Sequence, residues 1–378
     1  MTPNLSFDQI LNLFQSVFNL GKNEHWLTIM VDLPDARVPD SPRWRDRRTI
    51  SGEWFETLVG RLDETPFSSI VLCLYQNVGS NNNDLPESCI IADGLPEFSL
   101  LPNGRSDTIA SVLAQSSVVV ALTEFSATAP LKILAREHKF RGATMPGFLR
   151  EMIPTLSLDY EKVNARVLEF KQRMDDAEGV RIVLTAEGKS HECFYDLRFR
   201  TGHASGGLMR EPGIVGNLPS GEAYIVPYEG EQANEPSRTE GQLAVQFGDE
   251  IVVYHIERNR ATKVLSQGRF SDIERSKLDD EPAYGNIAEI GIGVLGEWGV
   301  KAIGSTLLDE KLGLHIAFGR SEHFGGITSP SSFKNPKNVI HIDRVYVPSV
   351  QPLIAVSLVE FSYPASSEKI IINGKYVV

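Results

Sequence analysis

Apolar residues at Ile10, Leu11, Phe14, Val17 and Phe18 fall three or four apart behind Ser6. That spacing predicts an amphipathic helix over residues 6–20, capped by the serine hydroxyl. The pattern then changes to short unbroken apolar runs, HWLTIMVD (25–32), SSIVLCLY (68–75) and SSVVVALT (116–123). Runs of this length suit buried strands. Between and after them, residues 50–64, 106–115 and 129–139 read as helices, and FRGATM (140–145) reads as a short strand. Strands alternating with helices predict a doubly wound parallel sheet. A longer helix over 158–177, with Val163, Val167, Leu168, Phe170 and Met174 on one stripe, closes this half.

From about residue 180 the texture turns to strands. RIVLTAEGK, HECFYDLRFR, GQLAVQFGDEIVVYHIERN and ATKVLS are separated by Gly, Asn and Asp turns, and one short helix is expected at 269–280. Residues 201–221 form a Gly/Pro-rich stretch without helical pattern, and loops that long are often functional. The predicted architecture is therefore a doubly wound α/β domain over 1–178 followed by a β-rich domain over 179–378.

Charge changes the picture where it interrupts these strands. His341 and Asp343 alternate in NVIHIDRVYV, so on a strand they share a face with roots ~7 Å apart. His315 in LGLHIAFG, Glu289 in NIAEIGIG and Glu222 in LPSGEAYIVP each sit in apolar or Gly-rich sequence. Taken singly, each has an ordinary explanation: a polar strand face, a satisfied core histidine, or a glutamate paired with Arg or Lys. Together they place two imidazoles and three carboxylates in buried settings, beside only Lys311, Arg320 and Arg344 as neutralising bases. Unpaired buried charge is costly. A pair of divalent ions bridged by a carboxylate balances the set, and such ions polarise carbonyls and activate water.

Composition removes several alternatives. The chain has 378 residues with 37 basic and 49 acidic side chains, net −12. It shows no basic stripe for nucleic acid or an anionic membrane surface. Cys73, Cys89 and Cys193 are scattered and form neither a CxxC pair nor a disulfide framework. No basic segment precedes the first apolar run, so no signal peptide is expected, and the expected compartment is the cytoplasm. Gly291, Gly293 and Gly296 match G-x-G-x-x-G, but no helix pattern follows and the site lies outside the βαβ half, which argues against a dinucleotide. Walker, GxSxG and HExxH motifs are missing.

Over about residues 115–350 the chain resembles the aminopeptidase T family of two-metal leucyl aminopeptidases. GATMPGFLREM, DYEKVNARV, VRIVLTAEGK, NLPSGEAYIVP, GQLAVQFGDEIV, NIAEIGIG, LLDEKLGLHIAFG and HIDRV carry the likeness. The resemblance implies a cytoplasmic, homodimeric metallo-aminopeptidase. Glu222, Glu289, His315, His341 and Asp343 would hold two ions (zinc, cobalt or manganese), and metal-activated hydroxide would cleave a peptide or small amide. Glu289 would bridge or stand near the attacking water. The family's tyrosine beyond the first histidine is absent; Glu322 and His323 occupy that stretch, and His323 is the candidate auxiliary acid. The GGITSPSSF segment before HID resembles instead a related branch, 2,5-dihydroxypyridine 5,6-dioxygenase. That branch implies one ferrous ion on two histidines and an aspartate; its first histidine falls at Glu289 here, so the triad is not reproduced directly, and His315, His341 and Asp343 are the alternative set of three. A non-catalytic accessory role in a biosynthetic pathway is the third expectation, motivated by the missing tyrosine.

Overall fold

A computed structural model describes residues 4–92 and 104–378. Helix α1 (Phe7–Phe18) begins at a reciprocal capping box between Ser6 and Gln9 and buries Phe7, Ile10, Leu13, Phe14, Val17 and Phe18. It precedes β1 (Glu24–Leu33), whose residues from Leu27 to Asp32 are all buried, as a central parallel strand covered on both faces requires. Next come α2 (Pro42–Val59), β2 (Phe67–Gln76), β3 (Ser88–Ala92), β4 (Gly104–Thr108), α3 (Ile109–Ala114), β5 (Ser116–Ala121), α4 (Thr128–His138), β6 (Arg141–Thr144) and α5 (Tyr160–Asp176). In the resulting seven-stranded sheet β1 lies between β5 and β2, both parallel to it. The antiparallel β3 and β4 extend one edge, and a strand at Val215–Asn217 pairs parallel with β6 at the other.

Three sequence readings shift here. Helix α2 starts at Pro42 rather than 50, because Arg47 and Arg48, which look like solvent-facing charges, are buried against Glu124 and Asp40. The helix read at 106–115 is preceded by β4 and begins at Ile109. On α5 Val163, Val167, Phe170 and Met174 are buried, whereas Leu168 is exposed.

The strands continue as β7 (Gly179–Ala186), β8 (Lys189–Asp196), β9 (His203–Ser205), β10 (the Val215–Asn217 strand), β11 (Glu222–Ile225), β12 (Glu240–Phe247), β13 (Glu250–Glu257) and β14 (Arg260–Val264). After α6 (Arg269–Asp280) come β15 (Ile287–Gly293), α7 (Thr306–Asp309), β16 (Leu314–Gly319), β17 (His341–Val345), β18 (Ile354–Tyr363), β19 (Ser366–Ile372) and β20 (Lys375–Tyr376). They build an eight-stranded sheet, β14-β13-β12-β8-β7-β18-β19-β20, and a five-stranded sheet, β17-β16-β15-β11-β9. The fold is thus α/β followed by β-rich. By contacts the chain forms two compact units, Met1–Asn164 with Ser205–Ser220, and Ala165–Ala204 with Gly221–Val378. The sequence seam at 178/179 falls just after α5, whereas the contacts change over within that helix, and the stretch read as one loop over 201–221 contributes β9 and β10. No helix among the described residues is long and apolar enough to cross a membrane.

Candidate metal centre

The five-stranded sheet positions the site. Its central strands are buried along their whole length, IAEIGIG in β15 and LHIAFG in β16. Cross-strand register aligns Glu222 with Gly293, Tyr224 with Gly291 and Gly291 with His315. It also aligns Glu289 with Ala317, Ala317 with Asp343, and Gly319 with His341. Side chains at paired positions share a face. One face therefore carries Glu222, Tyr224, Glu289, His315, His341 and Asp343, over a floor of Gly291, Gly293, Ala317 and Gly319.

Two glycines make that face usable. A Cβ on Gly291 would lie 1.9 Å from Nε2 of His315, so the imidazole lies across the space the glycine leaves. A Cβ on Gly293 would lie 2.2 Å from the backbone carbon of Lys311, so the Glu310–Leu312 turn rests directly on β15. That approach brings the Lys311 ammonium to Glu222.

Glu289 is the hub. Its Oε1 is 3.1 Å from His315 Nε2 and its Oε2 is 3.5 Å from His341 Nε2. Glu222 Oε2 is 3.5 Å from His315 Nε2, and Asp343 Oδ1 is 3.7 Å from His341 Nε2. Ligand atoms of Glu222, Glu289 and His315 all lie within 4.8 Å of one another, and all three residues are buried. His341 and Asp343 adjoin this group through the second Glu289 oxygen. His341 is oriented by its Nδ1, 2.8 Å from the Arg320 carbonyl oxygen, as a ligating imidazole usually is. Lys311 Nζ donates to Glu222 Oε1 at 2.5 Å and also to Glu310.

The donor set suits a divalent ion: carboxylate oxygens and imidazole nitrogens converge on one point. Glu222 Oε2 and His315 Nδ1 are buried without a hydrogen-bond partner, and an ion among these ligand atoms would satisfy the first.

Without an ion, protons neutralise the carboxylates. Burial alone would lower the His315 pKa, but the hydrogen bond to Glu289 and the charges of Glu222, Glu289 and Asp343 push it up to about 9. Burial is likewise outweighed at His341, which Asp343 and Glu289 hold well above the ordinary imidazole range. Glu289 and Asp343 are held below theirs, the imidazoles overcoming the effect of burial. Burial pushes Glu310 up to about 8, with Lys311 opposing the rise and Glu222 and Asp343 adding to it.

A raised His315 pKa stabilises the metal-free fold fully below the ordinary value of 6.5, and that contribution is lost as pH rises through about 9. An ion must displace the same proton. Its apparent affinity should therefore rise at least about tenfold per pH unit between pH 6.5 and 8.5, and more steeply where His341 also gives up its proton, measured by chelator competition. A flat profile would contradict this charge arrangement.

One bank of the site is aromatic. Tyr224 stacks on His203 with ring centroids 5.1 Å apart and meets Phe324 edge-on at 4.9 Å. Phe324 and His323 lie 5.6 and 5.4 Å from the His341 ring. Glu229 pins the loop that carries them, accepting hydrogen bonds from Ser321 Oγ (2.5 Å), Thr328 Oγ1 (2.6 Å) and the Ile327 amide (3.2 Å). His323 is pushed down to about 4, first by burial and then by the charges of His341 and Arg320, so it is neutral near pH 7. Glu322 is bound by Arg320, with Nε–oxygen distances of 2.7 and 2.8 Å.

The fold thus gathers Glu222, Glu289, His315, His341 and Asp343, with His323 on the rim. Lys311, read from sequence only as a nearby base, is Glu222's direct partner. Tyr224 and Phe324 were passed over, although Tyr224 stands two residues after Glu222 on the same strand and so had to share its face.

The chain's fold, a doubly wound α/β half followed by a β-rich half, is shared with solved structures. The structure of 2,5-dihydroxypyridine dioxygenase from Pseudomonas putida KT2440 is similar with a TM-score of 0.59 and 16% sequence identity, covering 99% of this chain and 98% of that one. Wild-type AmpT from Thermus thermophilus is similar with a TM-score of 0.56 and 13% identity, covering 98% of each chain. At these identities the relationship is one of fold. No family model matches the chain, and no curated protein matches it.

Proposed function

We propose that this protein is a metal-dependent hydrolase of aminopeptidase type, acting on a peptide or small amide. The observation that carries the reading is the closure of Glu222, Glu289 and His315 around one point, with Glu222 Oε2 buried and unsatisfied. Glu222, Glu289 and His315 would hold one ion, and Glu289, with His341 and Asp343, a second. A divalent ion there supplies Lewis acidity toward a carbonyl and lowers the pKa of water. The chain's own residues do the rest. Glu289 bridges the two imidazoles and fixes their spacing. Lys311 holds Glu222 by one oxygen and leaves the other for the ion. His323, neutral near pH 7, is free to accept or donate a hydrogen bond at the rim.

The test is metal analysis of the purified protein together with His341→Ala and Asp343→Ala. The wild type should hold at least one divalent ion and turn over aminoacyl amides until chelator is added. Both variants should lose metal. A metal-free wild type, or undiminished metal in both variants, rejects the reading.

A second reading, ring cleavage by a mononuclear iron oxygenase, draws support from the His315, His341 and Asp343 set beside an aromatic bank. Oxygen uptake with hydroxypyridines or catechols after anaerobic ferrous reconstitution would favour it over hydrolysis.

A further inference from the structure

Resting on the hydrolase reading, we propose that Tyr224 is a further catalytic residue. Its phenol O–H is the hydrogen-bond donor that receives the oxyanion formed when water adds to the substrate carbonyl.

The argument begins in the strand. Tyr224 is two residues from Glu222 and projects from the same face of β11. Its Cα partner is Gly291, the residue whose missing side chain makes room for the His315 ring. The strand position facing Tyr224 is therefore filled by a candidate ligand's imidazole.

The ring of Tyr224 is held on two sides. His203 stacks on it, and Phe324 meets it edge-on while also touching His341. His203 is fixed in turn by its Nε2, 2.9 Å from the Phe324 carbonyl oxygen. A phenol clamped in this way needs little rearrangement to present its hydroxyl, which is the condition for effective transition-state stabilisation.

The hydroxyl is also uncommitted. Tyr228, Tyr254, Tyr284 and Tyr346, in the same unit, each donate to a carboxylate or backbone carbonyl. The Tyr224 hydroxyl makes no hydrogen bond to any described residue, and the residue is only partly buried. Its donor is left for something that enters the site.

In the step, the water oxygen bonds to the carbonyl carbon while its proton passes to the neutral His323 imidazole, and the carbonyl π pair moves onto oxygen. That oxygen accepts the hydrogen bond from Tyr224, which keeps its proton. Collapse of the intermediate returns the pair, breaks the C–N bond and expels the amine, which takes the proton back from His323.

Tyr224→Phe removes the hydroxyl and keeps the ring. Measured on the zinc-loaded protein, the variant should retain wild-type metal content and melting temperature. Its affinity for an amino-acid hydroxamate, whose anionic oxygen mimics the oxyanion, should fall about ten- to a hundredfold, as loss of a donor to a charged group implies. Turnover of an aminoacyl amide should fall about a hundredfold or more in kcat, with KM little changed. Unchanged hydroxamate affinity in a metal-loaded variant overturns the proposal while leaving the hydrolase reading intact. Loss of metal from the variant also overturns it, by making Tyr224 a structural support. A wild type that binds no metal instead rejects the reading beneath it.

Discussion

Replacing Glu289 with alanine should weaken divalent-ion binding by more than about 100-fold and abolish turnover, since loss of an outer-sphere partner alone costs 10–100-fold. Among the described residues Glu289 is the one carboxylate that meets both imidazoles, through different oxygens. Its removal leaves His315 and His341 without their shared anion and opens a void at a fully buried position on β15. Glu289→Gln separates the two effects: it keeps the volume and removes the charge. The glutamine variant should fold normally and still bind metal far more weakly than the wild type. Calorimetric titration of the apo proteins decides the matter. Metal bound by Glu289→Ala with wild-type affinity would show that the cluster is an ion-pair network and not a metal centre.

Gly291→Ala should be nearly as damaging, although it adds a single methyl group. The new Cβ would fall 1.9 Å from Nε2, 2.1 Å from Cε1 and 2.7 Å from Cδ2 of His315. His315 is completely buried. Overpacking of this kind typically costs about 1–3 kcal/mol. The larger effect is on function, because a ligand displaced by ~1 Å can cost about 100-fold in rate. Thermal unfolding should show a lowered midpoint, and the variant should retain little metal. A Gly291→Ala protein with native metal content and activity would mean that His315 does not occupy this position in the functional protein.

These two positions also show what could be read without coordinates. Glu289 announced itself because a carboxylate inside NIAEIGIG has no cheap reason to be there. His315 did so for the same reason, and the alternation of His341 with Asp343 needed only strand geometry. Gly291 was harder. In sequence it belongs to a G-x-G-x-x-G string that suggests a phosphate loop, and only the cross-strand pairing with His315 reveals that it clears room for a ring. Register is a non-local property, so no local pattern could supply it.

The same limit hid Tyr224 as a neighbour of His315 and hid the choice that Lys311 makes between Glu222 and solvent. In the first unit, β1, β2 and β5 were plain because buried parallel strands are continuous apolar runs. The three-residue strand β10 was not, since its backbone pairing with β6 leaves almost no trace in side-chain pattern. The polar opening of α2 misled for an opposite reason: Arg47 and Arg48 are inside, one neutralised by Glu124 far along the chain and the other by Asp40 just ahead of the helix.

The five candidate ligands hang from four strands of one sheet, from Glu222 at the start of β11 to His341 and Asp343 in β17, so a nascent chain cannot assemble the whole set early. Pairing across such long sequence separations is slow to establish. Full metal loading should therefore register the completion of that sheet, and a fragment ending before β17 would lack both His341 and Asp343 however well its other strands had assembled.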